Sequence, residues 1–77
     1  MYDLQWKYFP QDNLLQAIEE KTSTLYWITS CGDVYSLNYT SDLFNLDFFE
    51  ILEISEDLDY LKDQANKHYE SIVEYIQ

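Results

Sequence analysis

Residues 24–40, which read TLYWITSCGDVYSLNYT, decide the fold predicted for this chain. Residues 24–31 and residues 34–40 are predicted to form two strands. Gly32-Asp33 separates the two runs, and glycine at the first central position allows the positive φ of a type II′ turn. The stretch therefore predicts a β-hairpin with a two-residue loop.

The register of this hairpin follows from its turn. One face of the predicted pair carries large aromatic and aliphatic side chains, and the other carries mainly Ser, Thr and Asn. Leu25 and Trp27 are apolar exceptions on the polar face. Such a division between faces supports the register, because a shift of one residue would exchange the two faces. The predicted pairs are Cys31–Val34, Ser30–Tyr35, Ile28–Leu37 and Tyr26–Tyr39.

The residues before the hairpin predict a strand followed by a short helix. Residues 2–8 alternate aromatic or aliphatic with polar side chains, which indicates a half-buried strand. Pro10 ends this strand because proline has no N–H to donate and restricts the preceding residue. Asp12 or Asn13 offers an N-cap for a helix that runs to about Lys21. Its predicted apolar side chains are Leu14, Leu15, Ala17 and Ile18.

After the hairpin, the pattern is at first ambiguous. Residues 43–54 fit either a strand or a helix, and we expect a loop followed by a strand from about Phe48 to Ile54. Ser55 is a suitable N-cap for a helix whose first turn carries acids that the helix dipole favours. From Leu58 to Ile76 apolar residues recur at spacings of three and four, which predicts an amphipathic helix.

These elements predict an α+β fold in a single domain, residues 1–77. The expected order is β-α-β-β-(β)-α. It gives a small antiparallel sheet of three to four strands, with a short N-terminal helix and a long C-terminal helix packed on it. At 77 residues the chain is near the lower limit for a self-supporting core, and its 18% aromatic content helps because each ring buries a large area.

The chain is strongly acidic, with a formal net charge of −11, four lysines and no arginine. Direct binding to nucleic acid or to an anionic membrane is therefore disfavoured. No apolar run has the length of a membrane span, and the N-terminus lacks the features of a signal peptide. The single cysteine fits a reducing compartment. We therefore expect the protein to be cytoplasmic, in the cytosol of the host cell.

Patterns for catalysis and metal binding are weak. Cys31 and His68 are the chain's only cysteine and histidine, too few for a structural zinc site, and they match no nucleophile signature. An EF-hand loop counted from Asp57 would need an oxygen ligand at Leu61 and a glycine at Lys62. No arginine is available to clamp a phosphate. We therefore expect no enzymatic activity, no cofactor and no metal.

The candidate site is the acidic stretch of residues 42–63, which holds eight acids and one base. Its large apolar residues must bury one side, so the carboxylates gather on the side that stays wet. Acids one helical turn apart (about 5.4 Å) or two strand residues apart (about 6.6 Å) would form a rigid row of negative charge. Such a row can occupy a channel built for phosphates. The predicted partner-binding residues are Asp42, Asp47, Glu50, Glu53, Glu56, Asp57, Asp59, Tyr60 and Asp63.

In size, charge, aromatic content and single-domain α+β plan, the chain resembles the small acidic inhibitors of phages and mobile elements, the DNA mimics and anti-CRISPR proteins. The resemblance spans the whole chain but includes no motif, since these proteins share none. It implies stoichiometric, non-catalytic inhibition of a basic nuclease, restriction enzyme or CRISPR effector. We expect the chain itself to be a monomer or a weak homodimer.

Two alternatives stay open at this stage. An immunity-type or regulatory module would bind a basic partner without mimicking nucleic acid. In the second alternative the chain self-associates through Leu25 and Trp27, and its acids serve only to keep it soluble.

Overall fold

The computed structural model describes residues 4–19, 22–42 and 47–76, with side chains described as far as Glu74. The described residues form five strands and one helix, and the strands make one antiparallel sheet in the order β1-β2-β3-β4-β5. The elements are β1 (Lys7–Phe9), β2 (Leu14–Glu19), β3 (Thr24–Cys31), β4 (Val34–Thr40), β5 (Glu50–Ser55) and α1 (Leu58–Ile76).

The central hairpin has the predicted bounds and the predicted register. Cys31 pairs with Val34, Ile28 with Leu37 and Tyr26 with Tyr39. Gly32 has a φ of 67°, as the first central position of a type II′ turn requires. This part of the prediction is confirmed.

The predicted short N-terminal helix is wrong, and with it the predicted number of strands. Residues 14–19 form β2, which pairs along its whole length with β3. Leu15 and Ala17 point towards α1, whereas Leu14 and Ile18 point to the other face of the sheet. A short strand with apolar residues on both faces has nearly continuous apolar sequence, and so does one turn of an amphipathic helix. The two patterns are not distinguishable over six residues, which explains the error.

The turn before β2 has its own local cause. Asp12 N–H donates to the Phe9 carbonyl at 3.2 Å, and Asn13 N–H donates to the Pro10 carbonyl at 3.3 Å. Asn13 has a φ of 49°, in the left-handed region that asparagine tolerates better than most residues. Asn13 thus closes a hairpin instead of capping a helix. The first strand is also shorter than predicted, and residues 2 and 3 lie outside the described residues.

The ambiguous stretch after the hairpin ends in a strand. β5 covers Glu50–Ser55, two residues later at its start than predicted, and it pairs antiparallel with β4. A bulge interrupts the register between Leu37 and Asn38. The residues 43–46 of the predicted loop lie outside the described part of the chain.

The hydrophobic core lies between one face of the sheet and α1. Leu61 and Ala65 of the helix are fully buried against Tyr26 and Leu37 of the sheet. The helix contributes further core side chains at Leu58, Tyr69 and Val73, which follow the predicted spacing of three and four. The long C-terminal helix packed on one sheet face is therefore as predicted.

The opposite face of the sheet is covered by no helix or strand of the described residues. We call it the open face, and it consists of the side chains of β2–β5 that point away from α1. They are Leu14, Gln16, Ile18, Leu25, Trp27, Thr29, Cys31, Val34, Ser36, Asn38, Thr40, Ile51 and Ile54.

Asp57 is the N-cap of α1, not Ser55 as predicted. The Asp57 carbonyl accepts the first helical hydrogen bond, from Leu61 N–H at 3.2 Å, and its Oδ1 accepts from Tyr60 N–H at 3.2 Å. Ser55 Oγ instead accepts from Asp57 N–H at 3.0 Å, which fixes the approach to the helix. Ser55 and Asp57 are equally good cap residues, so the sequence alone does not choose between them.

Replacing Asp57 by alanine should lower the free energy of unfolding by about 0.5–2 kcal/mol, because the Tyr60 N–H in the first turn of the helix loses its acceptor. Urea unfolding followed by circular dichroism measures this change. Asp57→Asn is the matched control, since its side-chain oxygen retains the cap. Equal stability of the alanine and asparagine variants would contradict the assignment.

Candidate functional site

Acids line the outer surface of α1. Asp59, Asp63, Glu70 and Glu74 are spaced by four, seven and four residues, so they share one face of the helix, opposite the core residues Leu61 and Ala65. The row is about 22 Å long at the helical rise of 1.5 Å per residue. Glu70 and Glu74 were missed by the sequence prediction, although continuing the same spacing beyond Asp63 would have found them.

The bulge in β5 adds two further acids to the same side. In a regular strand Glu50 and Glu53, three residues apart, would point to opposite faces. Here Glu53 pairs with Leu37 and Glu50 with Tyr39, so both point to the face that carries α1. Glu53 Oε2 accepts a hydrogen bond from the Tyr60 hydroxyl at 3.3 Å. The negative charge of Glu53 is the main reason why the pKa of Tyr60 is raised.

Glu56 and Asp57 connect β5 to α1 and join these two groups of acids. We call the set the acidic side: it comprises Glu50, Glu53, Glu56, Asp57, Asp59, Asp63, Glu70 and Glu74. Seven of the nine predicted residues lie on it or, in the case of Tyr60, within it. Asp42 and Asp47 belong to the β4–β5 connection, at the end of β5 away from Glu56 and Asp57, where Asp47 lines a surface depression together with Glu50.

Lysines do little to neutralise this surface. Lys67 Nζ lies 3.3 Å from Asp63 Oδ2, with both side chains more than 60% exposed. An ion pair this exposed contributes little, because water and salt screen it. Lys62 lies on the other flank of α1, beside Tyr8 and Leu15, and Lys7 lies over the Phe9 ring on β1. The acidic side thus keeps most of its charge.

His68 belongs to the structural support of the acidic side. Its Nδ1 lies 2.7 Å from the Tyr26 hydroxyl, and its ring packs edge-on against Tyr39 with centroids 4.6 Å apart. Burial lowers the pKa of His68, and the nearby Glu50 carboxylate acts in the opposite direction. Burial also raises the pKa of Tyr26, so its hydroxyl remains protonated. Because burial favours the neutral forms of both groups, the Tyr26 hydroxyl can donate to Nδ1 of a His68 ring that carries its proton on Nε2.

The stability of the fold should therefore depend on the protonation of His68. Because the folded pKa lies below the ordinary value of 6.5, the unfolded chain takes up a proton first as the pH falls. The contribution of neutral His68 to the free energy of unfolding is complete above pH 6.5 and is lost as the pH falls below this value. We expect the melting temperature of the native chain, relative to His68→Gln, to fall between pH 7.5 and 5. The carboxylates titrate in both proteins, so a constant difference would contradict this role.

The potential metal-binding and nucleophilic side chains of the described residues lie apart from one another. Among them no three His, Cys, Asp or Glu side chains are placed to hold a metal ion. Cys31 is exposed at the hairpin end, whereas the partner of His68, Tyr26, lies five residues back along β3, about 17 Å away. The only cysteine and the only histidine therefore do not act on a common substrate.

The chain was compared with protein-family models, curated proteins and solved structures, and none of them matches it. In the described part of the chain, α1 lacks the apolar character that a bilayer-spanning helix needs. Any assignment of function therefore depends on the surface itself.

Proposed function

We propose that this chain is a non-catalytic inhibitor that binds, through its acidic side, the basic nucleic-acid-binding surface of a nuclease, restriction enzyme or CRISPR effector. In this role it acts as a mimic of nucleic acid. The observation that carries the proposal is the division of charge between the two faces of the sheet. Eight acids lie on the side of the sheet that carries α1. The side chains of β2–β5 on the open face are all uncharged, and Lys7 of β1 lies at the margin of this face.

A charged coat that serves only solubility would surround the molecule with mixed signs. Here eight of the fifteen acids lie on the acidic side, with Lys67 as the lysine paired there, and the side chains of β2–β5 that point away from α1 carry no charge. A basic channel recognises phosphates through repeated Lys and Arg contacts and through the release of counterions. A row of carboxylates on α1, with Glu50 and Glu53 beside it, offers the same repeated contacts to those lysines and arginines.

Rigidity supports the same conclusion. The acids on α1 are fixed by a helix whose inner face is fully buried at Leu61 and Ala65, and Glu53 is held by Tyr60. Carboxylates fixed in advance lose little conformational entropy on binding, which favours affinity. Tyr60, 42% exposed within the acidic side, can contribute the aromatic contact that interface hot spots often contain.

Affinity capture tests the proposal. The tagged chain is incubated with lysate of the organism that carries its gene, and the retained proteins are identified by mass spectrometry. We expect basic nucleic-acid-binding proteins that are released by excess duplex DNA or by guide RNA. Partners that stay bound in the presence of both nucleic acids would instead support an immunity-type or regulatory module, and would overturn the mimicry.

A further inference from the structure

We propose that two copies of this chain associate by stacking their open faces. This inference is independent of the proposed function, since it concerns the opposite side of the molecule. It begins from side chains that the single chain leaves in water. Ile18, Ile51 and Ile54 are each more than half exposed, and all three point away from α1.

The exposed aliphatic groups form part of one continuous surface. The Trp27 ring packs against Phe49 with centroids 5.3 Å apart, and Leu14, Gln16, Leu25 and Trp27 line a shallow depression beside it. The polar groups between them are satisfied within the sheet: Thr29 and Ser36 hydroxyls are 3.0 Å apart, and Asn38 Nδ2 donates to the Trp27 carbonyl. They can be covered without losing hydrogen bonds to water.

Charge argues that the occupant is a second copy. Two chains that each carry −11 repel one another in most orientations. Stacking open face on open face is the approach that places the two acidic sides furthest apart, with both sheets between them. No charged side chain of β2–β5 is buried by this contact, and Lys7 on the short strand β1 remains at its margin. A basic partner would find no acid on the open face to pair with.

Pairing through the sheet edge is less favourable. β5 is the longer edge strand, and an antiparallel β5–β5 pair would bring Glu50 and Glu53 of both copies close together. Like charges across neighbouring strands destabilise such a pair, and charged residues commonly protect sheet edges in this way. The same two acids are absent from the open face because the bulge turns them towards α1.

The available area sets the expected strength. The four strands β2–β5, spaced about 4.8 Å apart and about seven residues long, cover about 19 by 23 Å, which gives about 900 Å² for the two copies together. This is at the lower limit for a specific interface. Two twisted sheets packed about 10 Å apart would then form a sandwich across the contact. We expect a weak dimer that dissociates on dilution.

Sedimentation velocity of the full chain at constant moderate salt tests the proposal. The native chain should shift from monomer to dimer across the micromolar range. Ile51→Lys and Ile51→Glu should each raise the dissociation constant by about tenfold or more, because each buries an unpaired charge.

Tyr8→Lys and Tyr8→Glu are the matched controls, because Tyr8 is 55% exposed but points to the face that carries α1. They should dimerise like the native chain. Circular dichroism establishes that all variants are folded. A native chain that stays monomeric at the highest concentration, or Ile51 variants that dimerise like the native chain, would overturn the proposal.

Discussion

Replacing both Glu50 and Asp59 by lysine should weaken binding to the basic partner by about 100-fold. Each reversed charge that touches a basic surface costs about 1–2 kcal/mol, and 1.4 kcal/mol is a factor of ten. Both side chains are exposed and neither caps a helix, so the fold should be retained. Asp57 and Glu53 are less suitable targets, because one caps α1 and the other holds Tyr60. Isothermal titration of the captured partner measures the loss.

The matched control reverses Asp12 and Asp33, which are exposed in the β1–β2 and β3–β4 turns. Both double variants change the net charge of −11 by the same amount. We expect the control to bind within about threefold of the native chain. If the two double variants lose affinity equally, net charge and not the acidic side governs binding.

Leu61→Ala should lower the free energy of unfolding by about 2–5 kcal/mol, the range measured when buried leucines are truncated. Leu61 is fully buried where α1 meets the sheet, together with Ala65 and Leu37. A domain of this size has a total stability of about 4–12 kcal/mol, so a large part of it depends on this one side chain. Thermal and urea unfolding, followed by circular dichroism, measure the change.

Ile54→Ala provides the comparison, because Ile54 is 55% exposed on the open face. At a low protein concentration, where dimers dissociate, Ile54→Ala should lower the free energy of unfolding by less than about 1 kcal/mol. Equal losses for the two variants would show that the core does not lie between α1 and the sheet.

The central hairpin was predictable because its information is local. A two-residue turn with glycine first fixes the register. Because successive side chains of a strand point to opposite faces, the register then assigns each side chain of β3 and β4 to a face. β2 was not predictable in the same way. Its apolar residues face α1 on one side and the open face on the other, so they lack the alternation that marks a strand.

The acidic side was predictable only in part. Helical spacing places Asp59 and Asp63 together and extends to Glu70 and Glu74. Glu50 and Glu53 point to the same face because of the bulge opposite Leu37 and Asn38, and no residue of β5 predicts a bulge there.

One sheet therefore supports two surfaces of opposite character. The same bulge directs Glu50 and Glu53 to the side of α1 and leaves Ile51 and Ile54 on the open face. If both proposals hold, a dimer would present two acidic sides on opposite outer surfaces and could occupy two basic channels at once.

Competition between this chain and nucleic acid for the captured partner tests the account most directly. Fluorescently labelled duplex DNA or guide RNA is bound to the purified partner, and the chain is titrated in while fluorescence anisotropy is recorded. The account predicts complete displacement, with the Glu50 and Asp59 double variant displacing about 100-fold less effectively. A ternary complex, in which the chain binds while the nucleic acid stays bound, would contradict it.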